Sequence, residues 1–549
     1  MTALLTDNLP LLAGAPNGIK KLRELILELA VRGKLVPQDS NDEPASKLLE
    51  RIAKENAQLV SEGKIKKQKI LAEIGEEDEP FDLPKTWSWA RLGELVYIVY
   101  GKGLPTSELT NDGYEVFGAN GVIGYYSSYL YEEPQLLVSC RGAYSGKPNI
   151  SPSYCFVTSN SLILQNSWKN LSLKFFFYAL SIAKKERIVT GSAQPQVTTT
   201  NLDPFLVVVP PLSEQHRIVA KVDELMALCD RLEARQADAE SAHAQLVQAL
   251  LGSLTQAADA EDFAASWQRL AEHFHTLFTT ESSIDALKQT LLQLAVMGKL
   301  VPQDPSDEPA TELLKRIQAG KQRLIAEGKL KKQKLLADIA EDETPFELPE
   351  GWSWSRLDAL TQLITKGSSP KWQGISYTDN PDDVLFITSE NVGSYTLRLD
   401  SRKYVEEEFN KIEPRSILEK GDFLMNIVGA SIGRTAIFDI EDNANINQAV
   451  CLIRVFYQYL ESQFLLHFFN SEVCLSYMFD KQVDNARANL SMGNIAGFIV
   501  PVPPLPEQHR IVAKVDQLLT LCDQLKTRLN QARQLNEQLA TALVEQAVA

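Results

Sequence analysis

The sequence predicts a multidomain α+β protein: two α/β modules on a repeated helical frame, separated by a long antiparallel coiled coil. Three observations predict it. Residues 22–95 and 287–360 align without a gap at an offset of 265, and more than half of the positions are identical. PPLSEQHRIVAKVDEL (Pro210–Leu225) recurs as PPLPEQHRIVAKVDQL (Pro503–Leu518) at a different offset, 293. The offsets differ because the stretches between, 96–200 and 361–493, do not match. One frame is therefore written twice around two unlike inserts. Such a pseudo-two-fold repeat would present two different recognition surfaces.

At 549 residues the chain exceeds a single hydrophobic core. Seven segments are expected. A repeated helical region at 1–86 precedes a first recognition module at 87–212 and a long helix at 213–254. A linker at 255–283 follows, then the second helical region at 284–351, a second module at 352–505 and a final long helix at 506–549.

Each helical region opens with a short amphipathic helix, Leu22–Arg32 or Leu287–Met297, that stops at Gly33 or Gly298. A second helix follows Asp42–Ala45 and Asp307–Ala310. Basic runs come next, KIKKQK at Lys64–Lys69 and KLKKQK at Lys329–Lys334, each followed by acids. They suit either a phosphate-contacting stripe or a self-compensated solvated face. His273 and His275 in the linker would point in different directions on a helix, which argues against a metal site.

The long helices start after Pro-Pro, with Glu214 and Glu507 near the positive helix start. Apolar positions then alternate steps of four and three. They are Ile218, Val222, Leu225, Cys229 and Leu232 in one copy, and Ile511, Val515, Leu518, Cys522 and Leu525 in the other. The first series continues through Gln236, Ala239, His243, Leu246 and Leu250, and the second through Leu529, Ala532, Asn536, Leu539 and Leu543. A mean spacing near 3.5 marks a coiled-coil seam. An ordinary amphipathic helix would drift off that period over this length. His243 and Asn536 fall at equivalent seam positions, where a polar residue can fix register.

The inserts read as β-rich modules with Gly/Asn/Ser turns and strand-like runs, among them YIVYG, QLLVSC, CFVTSN and SLILQ in the first. Helical patterns lie at 172–185 and 457–476. RGAYSGK (Arg141–Lys147) aligns with VGASIGR (Val428–Arg434), so each has a Gly turn ending in a base, Lys147 or Arg434. GSAQPQVTTTN (Gly191–Asn201) aligns with DNARANLSMGN (Asp484–Asn494). Gln194 then faces Arg487, and Gln196 faces Asn489. Gln, Asn and Arg can pair bidentately with base edges, and a Gly turn with one long cation suits a phosphate. Candidate DNA contacts are Arg141, Lys147, Gln194 and Gln196 in the first module. In the second they are Lys371, Arg434, Arg487 and Asn489. A polar loop capping a strand, and a hairpin turn with an incidental surface base, explain the same residues without DNA.

Charge cuts the other way. The chain carries a net −16, which argues against nucleic acid on its face. The first insert is net +2 and the second net −6, so binding there requires local basic clustering. Six scattered cysteines without a C-x-x-C pair read as reduced, buried thiols of a cytoplasmic protein. No apolar stretch is long enough for a membrane helix, and the acidic N-terminus does not resemble a secretory leader. There is no phosphate-binding loop, no Asn-Pro-Pro-aromatic tetrapeptide, no G-x-S-x-G elbow and no dense His/Asp/Glu cluster. No residue is nominated as catalytic or metal-binding.

GKLVPQD, the LP-x-x-W-x-W-x-RL segment and PPL-x-EQHRIV-x-K-V-D, each present twice and in order, resemble the specificity subunit of type I restriction–modification systems. NINQAV (Asn445–Val450) resembles a motif of that family's target-recognition domains. The resemblance implies that each insert reads one half of a split, asymmetric target in double-stranded DNA, with paired helices setting the gap. It also implies two methyltransferase subunits docked on the repeated regions, with restriction subunits joining them. S-adenosylmethionine, ATP and Mg would then belong to those partners, leaving this chain no cofactor and no catalysis. The competing expectation is a coiled-coil scaffold that binds proteins without DNA specificity, and a diverged enzyme is a third.

Overall fold

The computed structural model describes residues 9–65, 71–166, 168–183, 188–191, 194–258, 260–331, 336–480 and 489–548. It mixes helices and sheets and divides into two compact units, residues 1–240 with 531–549, and residues 241–530. A 44-residue helix, Leu212–Thr255, begins in the first unit and ends in the second. Another of equal length, Leu505–Val548, does the reverse.

In the first unit, helix α1 (Gly18–Val31) stops where Gly33 takes φ +69°, and α2 (Ala45–Ser61) follows. Strand β1 (Ser88–Arg91) enters the recognition module and β9 (Leu206–Val209) leaves it. The two pair antiparallel, Ser88 opposite Val209. Between them lie β2 (Tyr97–Tyr100), β3 (Tyr114–Phe117), β4 (Val122–Tyr126), β5 (Leu136–Ser139), β6 (Pro148–Ile150), β7 (Phe156–Val157) and β8 (Ser161–Gln165). They form a four-stranded sheet, β2-β8-β5-β6, and a three-stranded one, β4-β3-β7, in which β3 and β7 run parallel. Helix α3 (Leu173–Ser181) packs Phe175 and Phe176 into the same core as α1, Trp87 and the start of the long helix.

The second unit repeats this plan. Helices α4 (Glu281–Val296) and α5 (Ala310–Ala326) match α1 and α2, and Gly298 stops α4 with φ +70°. Strands β10 (Ser353–Arg356) and β19 (Ile499–Val502) close the module as β1 and β9 do. One sheet holds β11 (Thr361–Lys366), β15 (Phe423–Asn426), β16 (Thr435–Ile437) and β18 (Val450–Val455) in the order β11-β18-β15-β16. The other holds β12 (Tyr377–Thr378), β13 (Val384–Ile387), β14 (Tyr404–Val405) and β17 (Ala444–Ile446), with β13 parallel to β17. The helix expected over 457–476 is two helices, α6 (Ser462–Phe469) and α7 (Glu472–Asp480). Buried Asn470 breaks it, its amide donating to Thr435 O at 3.1 Å.

The repeated motifs turn out to be joinery. In each copy a fully buried glutamate in the first turn of the long helix accepts an indole N–H. Trp87 Nε1 donates to Glu214 and Trp352 Nε1 to Glu507, both at 3.0 Å. Gln38 and Gln303, from the two VPQD stretches, donate to the other carboxylate oxygens at 2.6 and 3.2 Å. The following glutamines bind the next helix start. Gln215 Oε1 accepts from Ser172 N, and Gln508 Oε1 from Glu461 N, each at 2.8 Å. Arg217 pairs with Asp42 at 2.6 Å and Arg510 with Asp307 at 2.7 Å.

One expectation needs correction. The heptad is not kept. The first five residues of each seam, Ile218 to Leu232 and Ile511 to Leu525, are buried or half-buried. Past Leu232, however, Gln236 and Ala239 are exposed, as are Ala532 and Asn536 in the other copy. Leu246 is 52% exposed where its neighbour Val247 is 3%. Leu539 and buried Ala540 show the same slip. Val247 is buried with Leu251, Leu254 and Ile284, and Ala540 with Val222, Leu225 and Cys229, so each helix end is buried in a globular core. Ile218, Val222 and Leu225 belong to the globular core with Trp87 and Phe175. Within the expected linker, 255–283, lie a helix at Ala260–Glu272 and a turn of helix at Phe274–Leu277, and Leu270, Leu277 and Phe278 pack with Ile284 and Leu287 of α4. Phe263, Trp267, Leu270, Phe274 and Leu277 step by four and three along it.

Burial holds the Glu214 carboxyl above its ordinary range, and the bonds from Trp87 and Gln38 pull it back. Trp87→Phe keeps the ring and deletes one donor to a buried acceptor, at a cost of roughly 1–3 kcal/mol. A carboxyl raised in the folded state favours folding below its unfolded pKa, and that contribution is lost as pH rises through the folded value. The deficit of Trp87→Phe should therefore shrink on acidification. Denaturant midpoints of both proteins between neutral and mildly acidic pH test this, and an unchanged midpoint at neutral pH would refute it.

Candidate nucleic-acid interface

In the first unit five loops meet where strands end. Gly101 follows β2 and donates to Ser161 O, and Lys102 exchanges backbone bonds with Val157 and Ser159. The β3–β4 hairpin turns at Gly118–Gly121, and Ser161 Oγ holds it by Gly118 O at 2.9 Å. The β5–β6 loop, Arg141–Lys147, makes a short 3₁₀ turn at Gly142–Tyr144. Arg141 forms an antiparallel bridge with Gln196, and Gly142 N and Ser145 Oγ both bind Pro195 O, at 3.1 and 2.7 Å. Arg141, Lys147, Gln194 and Gln196 are all exposed here. Lys147 Nζ sits 5.6 Å from the centre of the Tyr144 ring.

The second unit builds the same junction with other residues. Gly367 ends β11 against the backbone of Ile446 and Asn447. Asn426, buried at the end of β15, donates to Ser389 O at 3.0 Å and Val392 O at 3.2 Å, tethering the loop after β13. The loop Val428–Arg434 carries the matching 3₁₀ turn, Gly429–Ser431. Val428 bridges Asn489 as Arg141 bridges Gln196. The NINQAV stretch spans β17 to β18, with Asn447 N bonded to Ile387 O and Ala449 O accepting from Ile427 N. Lys371, Arg434 and Asn489 are exposed. Arg487 lies outside the described residues, as do Lys66–Lys69 and Lys332–Lys334 of the basic runs. Of those runs, Lys64 and Lys329 pair with Glu62 and Glu327, both at 2.8 Å.

Charge sorts itself by position. The described parts of the first junction hold Lys102, Arg141 and Lys147 and no acid. The second holds Lys366, Lys371, Arg398 and Arg434, all exposed, with two acids beside them: Glu390, paired with Lys403 at 3.0 Å, and Glu413, which accepts from Gln373 at 2.9 Å. Much of the second insert's acidity lies elsewhere and is matched. Asp422 and Glu419 grip Arg454, Glu441 holds Lys420, and Asp442 holds Arg402. The net −6 therefore coexists with a locally basic face. Sequence reasoning missed Lys102, Lys366 and Arg398. Lys102 and Lys366 adjoin the glycine that ends a strand, a signal legible once the strands were placed.

Comparison with known proteins bears on these modules directly. Residues 84–240 and 349–534 match the family described as the type I restriction modification DNA specificity domain. The type I restriction enzyme EcoEI specificity subunit of Escherichia coli is 37% identical over 574 residues, covering 97% of this chain and 94% of that one. The chain belongs to this family. The EcoAI specificity subunit of Escherichia coli is also 37% identical, over 570 residues. A solved structure of a type I R-M system covers 85% of this specificity subunit and 99% of its own chain, at 19% identity and a TM-score of 0.47. That of the HsdS subunit from Thermoanaerobacter tengcongensis gives 18% and 0.40. Among the described residues of this subunit, no group of three His, Cys, Asp or Glu is placed to hold a metal, and no helix is long and apolar enough to cross a membrane.

Gly367 is required by close approach, since a Cβ there would stand 1.8 Å from Ile446 O. Gly367→Ala should open the second junction at a cost of roughly 1–3 kcal/mol. The check is faster amide hydrogen exchange around 366–373 and 444–450, with exchange in residues 88–209 unchanged. Uniformly accelerated exchange would mean that the glycine supports the whole fold.

Proposed function

We propose that this specificity subunit is a non-catalytic DNA adaptor in which each junction reads one half of a bipartite, asymmetric target. The observation that carries it is the pair of loop junctions with matching 3₁₀ turns and backbone bridges, alike in local charge and unlike in the side chains they expose. Arg141, Lys147, Gln194 and Gln196 serve the first half-site, and Lys371, Arg434, Arg487 and Asn489 the second. Lysine and arginine position the phosphates while Gln and Asn read base edges. The two long helices, each about 66 Å at 1.5 Å per residue, serve as the spacer that fixes the gap, packed antiparallel as a coiled-coil-like pair. Methyltransferase subunits dock on the repeated helical regions and supply S-adenosylmethionine chemistry. Restriction subunits bring ATP- and Mg-dependent cleavage, and this chain holds no cofactor of its own. The setting is cytoplasmic.

Methylation-sensitive sequencing of a host carrying the complex identifies the target. Salt-dependent binding of the reconstituted methyltransferase complex to that duplex then tests the reading. Equal affinity for all duplexes would overturn it in favour of a protein-binding scaffold.

Gln196→Ala should relax discrimination at the first half-site alone and Asn489→Ala at the second alone, each by roughly 1–3 kcal/mol. Lys147→Ala or Arg434→Ala should weaken all duplexes together and lower the salt slope by about 1. Loss at both half-sites from a single glutamine or asparagine change would make that residue structural.

A further inference from the structure

Trp372 has no place in the fold's economy of packing. It is 73% exposed, the most exposed of the chain's seven tryptophans, and its indole N–H has no partner among the described residues. Yet the backbone beneath it is fixed. It sits on a 3₁₀ turn, Pro370–Gln373, with Pro370 buried. Trp372 N donates to Ser369 O and Ile375 N to Pro370 O, both at 3.0 Å. Gln373 Nε2 pins the turn to Ser368 Oγ at 3.0 Å and to Glu413 Oε1 at 2.9 Å. The turn leaves β11 three residues after Gly367, so it belongs to the basic junction of the second unit. The matching turn of the first unit, Thr106–Glu108, bears no aromatic residue.

A large apolar ring exposed to water on a fixed turn at a basic face suits a base stack. We infer that Trp372 is a wedge for the second half-site: its indole enters between neighbouring base pairs while Lys371 takes a phosphate. Successive residues of a 3₁₀ turn point about 120° apart, so the two side chains reach separate features of one duplex. Apolar wedges that unstack a step let a protein read deformability at positions it does not hydrogen-bond. The inference rests on the DNA-reading assignment above. It adds a specificity residue to the second half-site that has no counterpart on the Thr106–Glu108 turn of the first.

The test uses the reconstituted methyltransferase complex and its identified target, with 2-aminopurine placed singly at each step of the second half-site. Trp372→Ala should lose roughly ten- to a hundred-fold in affinity for the target, leave non-specific duplex binding and its salt slope unchanged, and abolish a 2-aminopurine fluorescence rise seen with the parent protein. Trp372→Phe should keep most of the affinity. Because the ring is exposed, both variants should match the parent in circular dichroism and in assembly with methyltransferase subunits. Undiminished target binding by Trp372→Ala would overturn the wedge, as would an equal loss on all duplexes. A loss of assembly would instead assign the ring to a protein contact. A parent complex that binds every duplex alike would defeat the adaptor reading first, before any variant is compared.

Discussion

The structure hangs on one buried carboxylate per unit. Glu214 and Glu507 each stand in the first turn of a 44-residue helix, where free N–H groups and the helix dipole favour a negative charge. Burying a carboxylate is costly unless it is fully bonded, and here the bonds come from far along the chain. One is from the tryptophan that precedes the module's first strand, the other from the glutamine that follows the first helix. Three segments distant in sequence are thereby fixed at the point where the module hands over to the long helix. The adjacent Gln215 and Gln508 extend the joint to α3 and α6. Identity between the repeats is concentrated in these residues because a half-satisfied buried network is worse than none. A conservative change at one partner strands the others.

That constraint also decides what was legible in the sequence. The frame was readable because its polar joinery tolerates little variation, so two copies within one chain expose it by alignment. The module strands were readable from apolar runs, and the loop alignment of Gln196 with Asn489 is matched by equivalent bridges to Arg141 and Val428. The register of the long helices was not. A 3.5-residue and a 3.6-residue period differ by one position only after several turns. The stretch between Leu232 and His243 also has only small or polar residues with which to tell them apart. The helix at Ala260–Glu272 was missed for a different reason: its stripe is short and interrupted by exposed charges.

Net charge misled in an instructive way. A sum over the second insert says nothing of where its acids lie, and Asp422, Glu441 and Asp442 sit apart from the junction against Arg454, Lys420 and Arg402. Long-range attraction for an anionic ligand depends on what remains at the approach face, since exposed charges beyond about 10 Å are largely screened at moderate salt. The two junctions, with inserts of opposite net sign, thus arrive at comparable local charge.

The junctions are also built so that their contact residues can change without harm to the fold. The loops are held by backbone bridges and by buried tethers, and the tethers themselves differ: Ser161 to Gly118 in one unit, Asn426 to Ser389 and Val392 in the other. The exposed side chains of Gln194, Gln196, Asn489 and Trp372 project from this scaffold, while the backbones of Gln196 and Asn489 belong to its bridges. Substitution there costs little stability, because exposed positions free of such networks rarely shift it by more than about 0.5 kcal/mol. A recognition surface that must be rewritten while its frame stays intact requires this separation. It places the informative residues where an alignment of the two repeats fails, not where it succeeds.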